Sequence, residues 1–202
     1  FPSYKATEIC ISIDRGVDFI RSIQREDGSW YGSWAICFCY GTWFGVQALC
    51  SKLQQNGMVA QSVIKSDQER VKRACEFLLS RQRPDGGWAE SYKSCEEKNY
   101  VESDESLPAH AVSTAWSLLS LLKASTCVEV GDRVQQAIER GVQCLLELQT
   151  KNGPFAGEWP QQTISGVFNK TWGITYTSYR NVFPIWALSR YLQLRQDKKH
   201  HE

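Results

Sequence analysis

Three short segments of the chain echo one another: Gln24-Arg-Glu-Asp-Gly-Ser-Trp30, Gln82-Arg-Pro-Asp-Gly-Gly-Trp88 and Gln149-Thr-Lys-Asn-Gly-Pro-Phe155. In each, a glutamine is followed six residues later by an aromatic ring, across an Asp-Gly or Asn-Gly step. Such a repeat constrains the architecture before any residue is interpreted singly, because each copy is one supersecondary unit that buries its apolar face against the next. The residues ahead of each copy also match, as Arg15-Gly-Val-Asp-Phe-Ile-Arg-Ser-Ile-Gln24, Arg73-Ala-Cys-Glu-Phe-Leu-Leu-Ser-Arg-Gln82 and Arg140-Gly-Val-Gln-Cys-Leu-Leu-Glu-Leu-Gln149. Their apolar positions follow the helical period, and a small residue follows the arginine each time. Each helix ends where Asp-Gly or Asn-Gly breaks it. Ser66-Asp-Gln-Glu69 fits a capping box and sets the expected start of the second repeat helix.

Between the repeats lie more apolar stretches, expected as helices over Trp34 to Leu53, Ala109 to Lys123 and Asn181 to Arg195. Their wide apolar faces place them deeper than the repeat helices, so amphipathic helices surround a layer of apolar ones. The fold class is all-α. Nothing reads convincingly as a sheet, and the β-branched run near Ile174 and Thr175 is a weak candidate. Residues 197–202 form a solvated tail whose two histidines are too local to hold a metal. The repeated glutamine and ring are read as braces: an amide near a helix end can bond backbone carbonyls or the neighbouring helix while the ring covers the turn.

Eight tryptophans among 202 residues is heavy usage, which asks for aromatic walls. A formal net charge of +1, with no basic stretch interleaved with rings, argues against nucleic acid as a partner. The eight cysteines sit mostly in apolar runs without a Cys-x-x-Cys pair, and are expected to be reduced, buried thiols of a cytosolic protein. No run approaches the roughly 20 apolar residues that a membrane-spanning helix needs. The chain opens Phe1-Pro2-Ser3 and its only methionine is Met58, so it reads as a piece of a longer polypeptide.

The Gln-to-Trp element resembles the QW motif of the triterpene cyclases. Further words make the likeness specific to the oxidosqualene cyclase family: Asp27-Gly-Ser-Trp-Tyr-Gly-Ser-Trp34, Cys37-Phe-Cys-Tyr-Gly-Thr-Trp-Phe44, Asp85-Gly-Gly-Trp-Ala-Glu-Ser-Tyr92, Gly166-Val-Phe-Asn-Lys-Thr171 and Tyr176-Thr-Ser-Tyr-Arg-Asn-Val-Phe-Pro-Ile-Trp-Ala-Leu188. The resemblance implies an α/α barrel of concentric helices, of which residues 1–202 would be the C-terminal, incomplete part. It also implies 2,3-oxidosqualene as substrate, no cofactor and no metal. The expected location is the cytosolic side of the endoplasmic reticulum membrane or a lipid droplet, by peripheral attachment to one leaflet. Such enzymes protonate an epoxide and close rings through a chain of carbocations. Aromatic faces suit that task, because each attracts a cation by about 0.5–2 kcal/mol and does not readily add to it.

By their places in the family's motifs, Trp34, Phe168 and Tyr176 match rings that line the cyclisation cavity. Cys37, Tyr40, Trp172 and Tyr179 are neighbouring candidates for contact with substrate, while Trp43, Trp116 and Trp186 are read as packing. The family's acidic motif, Asp-Cys-Thr-Ala-Glu, is absent, so no catalytic acid is assigned. Asp85, Glu96, Glu97, Asp104 and Glu105 sit in polar turns and read as solvated charges. The chain alone is therefore expected to lack cyclase activity.

Other departures touch specificity and loops. Trp172 stands where the resemblance leads to a smaller residue, which puts the product in doubt. Residues 103–111 and 154–158 look longer than the family's, so either Phe155 or Trp159 could supply the third ring. His110 reads as a helix-entry or surface residue. Asn169-Lys-Thr171 fits a glycosylation sequon that an intracellular protein would not use. Two alternatives share parts of the pattern: the β-subunits of protein prenyltransferases, which need a zinc site for which only His110 is offered outside the tail, and a helical-repeat scaffold that binds proteins.

Overall fold

A computed structural model describes residues 4–55, 60–162, 164–168 and 172–199. Six long helices among them form two layers. The repeat helices α1 (Ala6–Ser22), α3 (Gln61–Ser80) and α6 (Asp132–Leu148) alternate along the chain with α2 (Cys37–Leu53), α5 (Ala111–Ala124) and α7 (Tyr179–Lys199). α5 packs against both α2 and α7, and every residue from Ala111 to Leu122 is buried. The repeat helices bury one stripe only, as in α6, where Val134, Ala137, Ile138, Gly141, Val142 and Leu145 face inward at helical spacing. The expected two-layer, all-α arrangement is thus present, with a short extra helix α4 (Lys93–Glu97).

The repeat acts as a brace through hydrogen bonds that recur from copy to copy. The Gln24 amide donates to the Gly28 carbonyl at 2.9 Å, Gln82 to Gly86 at 2.7 Å and Gln149 to Gly157 at 2.8 Å. The first two also reach the next outer helix, Gln24 to the Arg70 carbonyl at 2.9 Å and Gln82 to that of Ala137 at 2.8 Å. Glycine is required at Gly28 and Gly86 for two reasons: φ is positive, and a Cβ would meet the carbonyl oxygens of Arg73 and Arg140 at 2.4 and 2.6 Å. Arg73 in turn donates to the Arg25 carbonyl at 2.7 Å, and Arg140 bonds Gln82, so the repeated arginine grips the turn before it. The small residue after Arg140 leaves room for Trp88, whose ring would lie 3.0 Å from a Cβ on Gly141.

The indoles complete each brace from the inside. Trp30 donates from Nε1 to the Ile20 carbonyl at 2.8 Å, Trp88 to that of Leu78 at 2.8 Å and Trp159 to that of Leu145 at 2.9 Å. Each ring is buried, and its own backbone amide is held from the following apolar helix, by Thr42, Thr114 and Asn181 respectively. The third ring is therefore Trp159, not Phe155, which is 60% exposed. The longer third turn leaves the first glycine of the motif, Gly153, behind and gives its place to Gly157, also at positive φ.

Several local expectations need correction. α3 begins at Gln61, so Ser66 to Glu69 lies inside the helix and caps nothing. Asp67 is instead buried and takes two hydrogen bonds from the Arg21 guanidinium, at 2.8 and 2.6 Å, tying α3 to α1. A small antiparallel hairpin exists, β1 (Gly166–Phe168) with β2 (Trp172–Ile174), pairing Phe168 with Trp172. α7 extends to Lys199, so part of the stretch read as a tail is helical; 200–202 lie outside the described residues, as do Met58 and Asn169-Lys-Thr171. His110 is the residue before α5, and its Nδ1 faces the Ser113 amide at 3.5 Å.

The expectation of reduced cysteines fails for one pair. Cys37 and Cys95 form a disulfide, their Cα atoms 6.1 Å apart. The partners are 58 residues apart in sequence and meet because α4 lies against the first turn of α2, a contact with no local signature.

Candidate functional site

The site is assembled around the first turn of α2 and the β1–β2 hairpin. α2 lacks a capping side chain of its own. The amides of its first turn, unpaired within the helix, are instead taken by Glu90, which follows the second brace and is almost wholly buried. The Glu90 carboxylate accepts from the amides of Cys37 at 3.3 Å, Phe38 at 2.9 and 3.1 Å, and Cys39 at 2.8 Å. A carboxylate is favoured there by the unpaired N–H groups and the positive end of the helix dipole. Burial pushes its pKa up, and the amides and Ser94 oppose that shift. Both carboxylate oxygens are engaged by donors of the α2 turn, so Glu90 positions that helix and is not a proton donor toward an open cavity.

Just before that capped turn, the chain presents Trp34. Its neighbour Ala35 bridges to Gly166, the first residue of β1. The close approach needs glycine: a Cβ on Gly166 would meet the Trp34 carbonyl oxygen and the Tyr176 ring, both at 2.6 Å. Two residues along the strand, the Phe168 ring meets Trp34 with centroids 5.2 Å apart and planes tilted by 41°. Trp34, Phe168 and Tyr176, assigned from separate stretches of sequence, are thereby gathered around one strand. Trp34 is 58% and Phe168 38% exposed, so both offer ring faces to open space.

Tyr176 stacks on Tyr179 at 4.6 Å, and from there rings continue inward. Tyr179 meets Phe183 edge-on at 4.9 Å, Phe183 meets Trp116 at 5.2 Å, and Trp116 meets Tyr40 at 5.3 Å. Edge-to-face contacts of this kind stabilise beyond the area they bury, by about 0.5–1.5 kcal/mol each. Burial, followed by the neighbouring phenols, raises the pKa of Tyr40, and burial followed by Tyr176 does so for Tyr179, so these hydroxyls stay protonated. Trp43 and Trp116 are buried in this packing, whereas Trp186, expected with them, stacks on Phe183 yet is partly exposed.

Two of the weaker candidates stand apart. Cys37 is fully buried, with its sulfur bonded to Cys95 and its amide to Glu90, so it offers no thiol to a cavity. Trp172 is 71% exposed on the outer strand of the hairpin, paired across it with Phe168. Among the carboxylates read as solvated, Asp85 proves structural: it accepts from the amides of Gly87 at 3.1 Å and Ala109 at 3.0 Å.

A cleft of about 320 Å³ borders the Trp34–Phe168 pair and is also lined by Tyr31, Cys95 and Lys98. The Lys98 ammonium lies 3.9 Å from the centre of the Tyr31 ring and bonds its hydroxyl. A fixed ammonium disfavours a second cation beside it, which leaves the solvent-open sides of Trp34 and Phe168 as surfaces for one. The larger cleft of about 810 Å³ lies at the second brace, where Arg83, Asp85, Glu102 and Glu105 give it a charged lining instead of rings.

Concentric helices braced at Gln-to-Trp turns, together with a surface walled by aromatic rings, define a terpene cyclase domain. The chain belongs to the family described as squalene-hopene cyclase C-terminal domain, which matches residues 2–193. It is 46% identical to lanosterol synthase of Homo sapiens over 200 residues, covering 98% of this chain and 24% of that protein. Over 187 residues it is 49% identical to cycloartenol synthase of Dictyostelium discoideum, covering 93% of this chain and 23% of that one. The solved type II terpene cyclase MstE from Scytonema is similar in fold, with a TM-score of 0.50 and 26% identity over 71% of this chain and 32% of that one. The chain thus spans about a quarter of the length of the curated relatives it matches. Family membership places the chain with the terpene cyclases and not with the prenyltransferase subunits.

Proposed function

We propose that this chain supplies the aromatic cavity wall of a 2,3-oxidosqualene cyclase of the lanosterol synthase type, with the general acid contributed by residues outside these 202. The observation that carries the reading is the convergence of Trp34, Phe168 and Tyr176 on β1, with two of the three rings in direct contact. Their faces lower the energy of a passing carbocation without adding to it. Tyr176 and Tyr179 extend that surface, and Tyr40 supports it through Trp116. Trp172 adds a large ring beside Phe168, and its size tunes which cation, and hence which product, is favoured. The substrate is an apolar chain, so the protein would work at a lipid surface, on the cytosolic face of the endoplasmic reticulum or on lipid droplets; no described helix is long and apolar enough to cross a membrane.

The test places Phe168→Ala and Trp34→Ala in a polypeptide that joins this sequence to the acid-bearing part of a cyclase. Binding of a protonated azasqualene is expected to weaken about tenfold, as loss of one desolvated cation–π contact implies, and products of early cation quenching are expected to appear. Unchanged binding together with an unchanged product spectrum would overturn the assignment. The 202-residue chain by itself is expected to leave oxidosqualene unconverted. Failure of the joined protein to float with phosphatidylcholine vesicles would remove the lipid-surface part of the proposal.

A further inference from the structure

The repeat helices align on their shared arginine, so that Arg15, Arg73 and Arg140 coincide. In that alignment α3 and α6 bury the same stripe: Asp67, Val71, Ala74 and Phe77 on one, Val134, Ile138, Gly141 and Cys144 on the other. Steps of four, three and three residues keep these places on one face of a helix. On α1 the same places are Ile9, Ile13, Gly16 and Phe19. All four are exposed, Ile13 by 41% and Phe19 by 62%. Val17, by contrast, is buried like its counterparts Cys75 and Val142, and α1 packs against α2. The first repeat helix is thus seated on the helix that follows it and bare on the side where the other two are covered.

The cover is of one kind at both later junctions. α3 packs on α2 and α6 on α5, the apolar helix ahead of each, and the brace turn ahead of that helix closes over the arginine. Gln24 reaches the Arg70 carbonyl and Gln82 that of Ala137, three residues before the arginine each time. The Phe77 ring meets Phe38 of α2 with centroids 6.5 Å apart, and a Cβ on Gly87 would meet the Cys144 sulfur at 2.7 Å. A Cβ on Gly141 would meet Leu118 of α5 at 2.9 Å and the Trp88 ring at 3.0 Å, whereas one on Gly16 would meet nothing within 4 Å. The carbonyl three residues before Arg15 is that of Ser12, and both residues are exposed.

We propose that the bare face of α1 is the seat for a further braced unit of the same polypeptide, lying ahead of these 202 residues: an apolar helix, preceded by a turn with a glutamine, a glycine and an aromatic ring. The glutamine amide donates to the Ser12 carbonyl, and the glycine lies against Arg15. The ring fills the space over Gly16, as Trp88 does over Gly141. The apolar helix covers Ile9, Ile13 and Phe19, which a polar occupant would leave unsatisfied. Length permits this, since the chain covers 24% of the Homo sapiens relative. None of these residues belongs to the aromatic wall.

The test uses the natural polypeptide that contains this sequence, carrying the photo-reactive substitution Phe19→p-benzoylphenylalanine, which is irradiated and then mapped by peptide mass. Expected is a link within one molecule to a segment ahead of this sequence, in an apolar helix or in the glutamine-to-ring turn before it. Links between two molecules would overturn the proposal in favour of a seat for a second copy. Absence of any link would overturn it in favour of an uncovered face. Thermal unfolding of Gly16→Leu in the same polypeptide gives a second reading, with opposite signs for the two cases. On an open face, replacing a helix-interior glycine raises Tm; under a ring, the added side chain overpacks the seat and lowers Tm by a few degrees. A fall is expected, and a rise or an unchanged Tm would overturn the proposal. If that variant does not fold, the photo-cross-link decides.

Discussion

Tryptophan is used in opposite ways in two regions of the molecule. At the braces, Trp30, Trp88 and Trp159 are buried to the ring edge, and each Nε1 is spent on a helix carbonyl. At the wall, Trp34 stands more than half exposed, held by the backbone bridge of its neighbour to β1 and by one ring contact. On the function proposed above, stability and ligand contact separate along this line. A ring whose polar atom and both faces are satisfied internally contributes to folding; a ring left with a bare face is available to a ligand.

Truncation on each side puts the contrast at greatest risk. Trp88→Ala and Trp159→Ala each remove a buried indole and its hydrogen bond to a helix carbonyl, so each is expected to cost about 3–5 kcal/mol by denaturant unfolding. Trp34→Ala is expected to cost below about 1 kcal/mol while weakening cation binding; equal losses at Trp34 and Trp88 would abolish the distinction. Glu90→Ala comes next. It leaves three α2 amides without their acceptor, and a loss of about 2–4 kcal/mol in chemical unfolding is expected.

Smaller effects separate the braces from one another. Gln82→Ala removes two bonds to backbone carbonyls and should lower stability by about 1–2 kcal/mol, whereas Gln149→Ala, at a more exposed turn, should lower it by about half a kcal/mol. A thermal-shift series comparing the two reads this order. Phe155→Ala should be nearly silent, within about 0.5 kcal/mol, because Trp159 occupies the buried place. A large loss at Phe155 would return the third brace to the shorter motif.

Much of the fold is legible in the chain because the braces are local. The bonds Gln24 to Gly28 and Trp30 to Ile20 span four and ten residues, so the residues that make them recur at a fixed spacing. The apolar stretches that form α2, α5 and α7 are visible because their apolar residues are contiguous along the chain and cover a wide face of each helix. The capping box misleads because Ser66 and Glu69 fit a local pattern that a longer helix overrides, and because the Asp67 side chain answers to Arg21, 46 residues away. The hairpin leaves a faint signal because its strands are three residues each. In the site, Trp34, Phe168 and Tyr176 follow from motif resemblance, but no spacing in the chain encodes their meeting. Glu90 is not recognisable as the cap of α2 because it lies more than fifty residues from the amides it serves.

The repeat, the two kinds of helix and the family are written in the sequence alone, since each rests on short-range periodicity or on contiguous words. That Trp159 closes the third brace, that Cys37 is bonded to Cys95, and that Trp34 lies against Phe168 emerge only once the chain is folded. Those outcomes depend on which segments meet after the helices pack, and packing is chosen by the burial of whole faces, which no local pattern encodes.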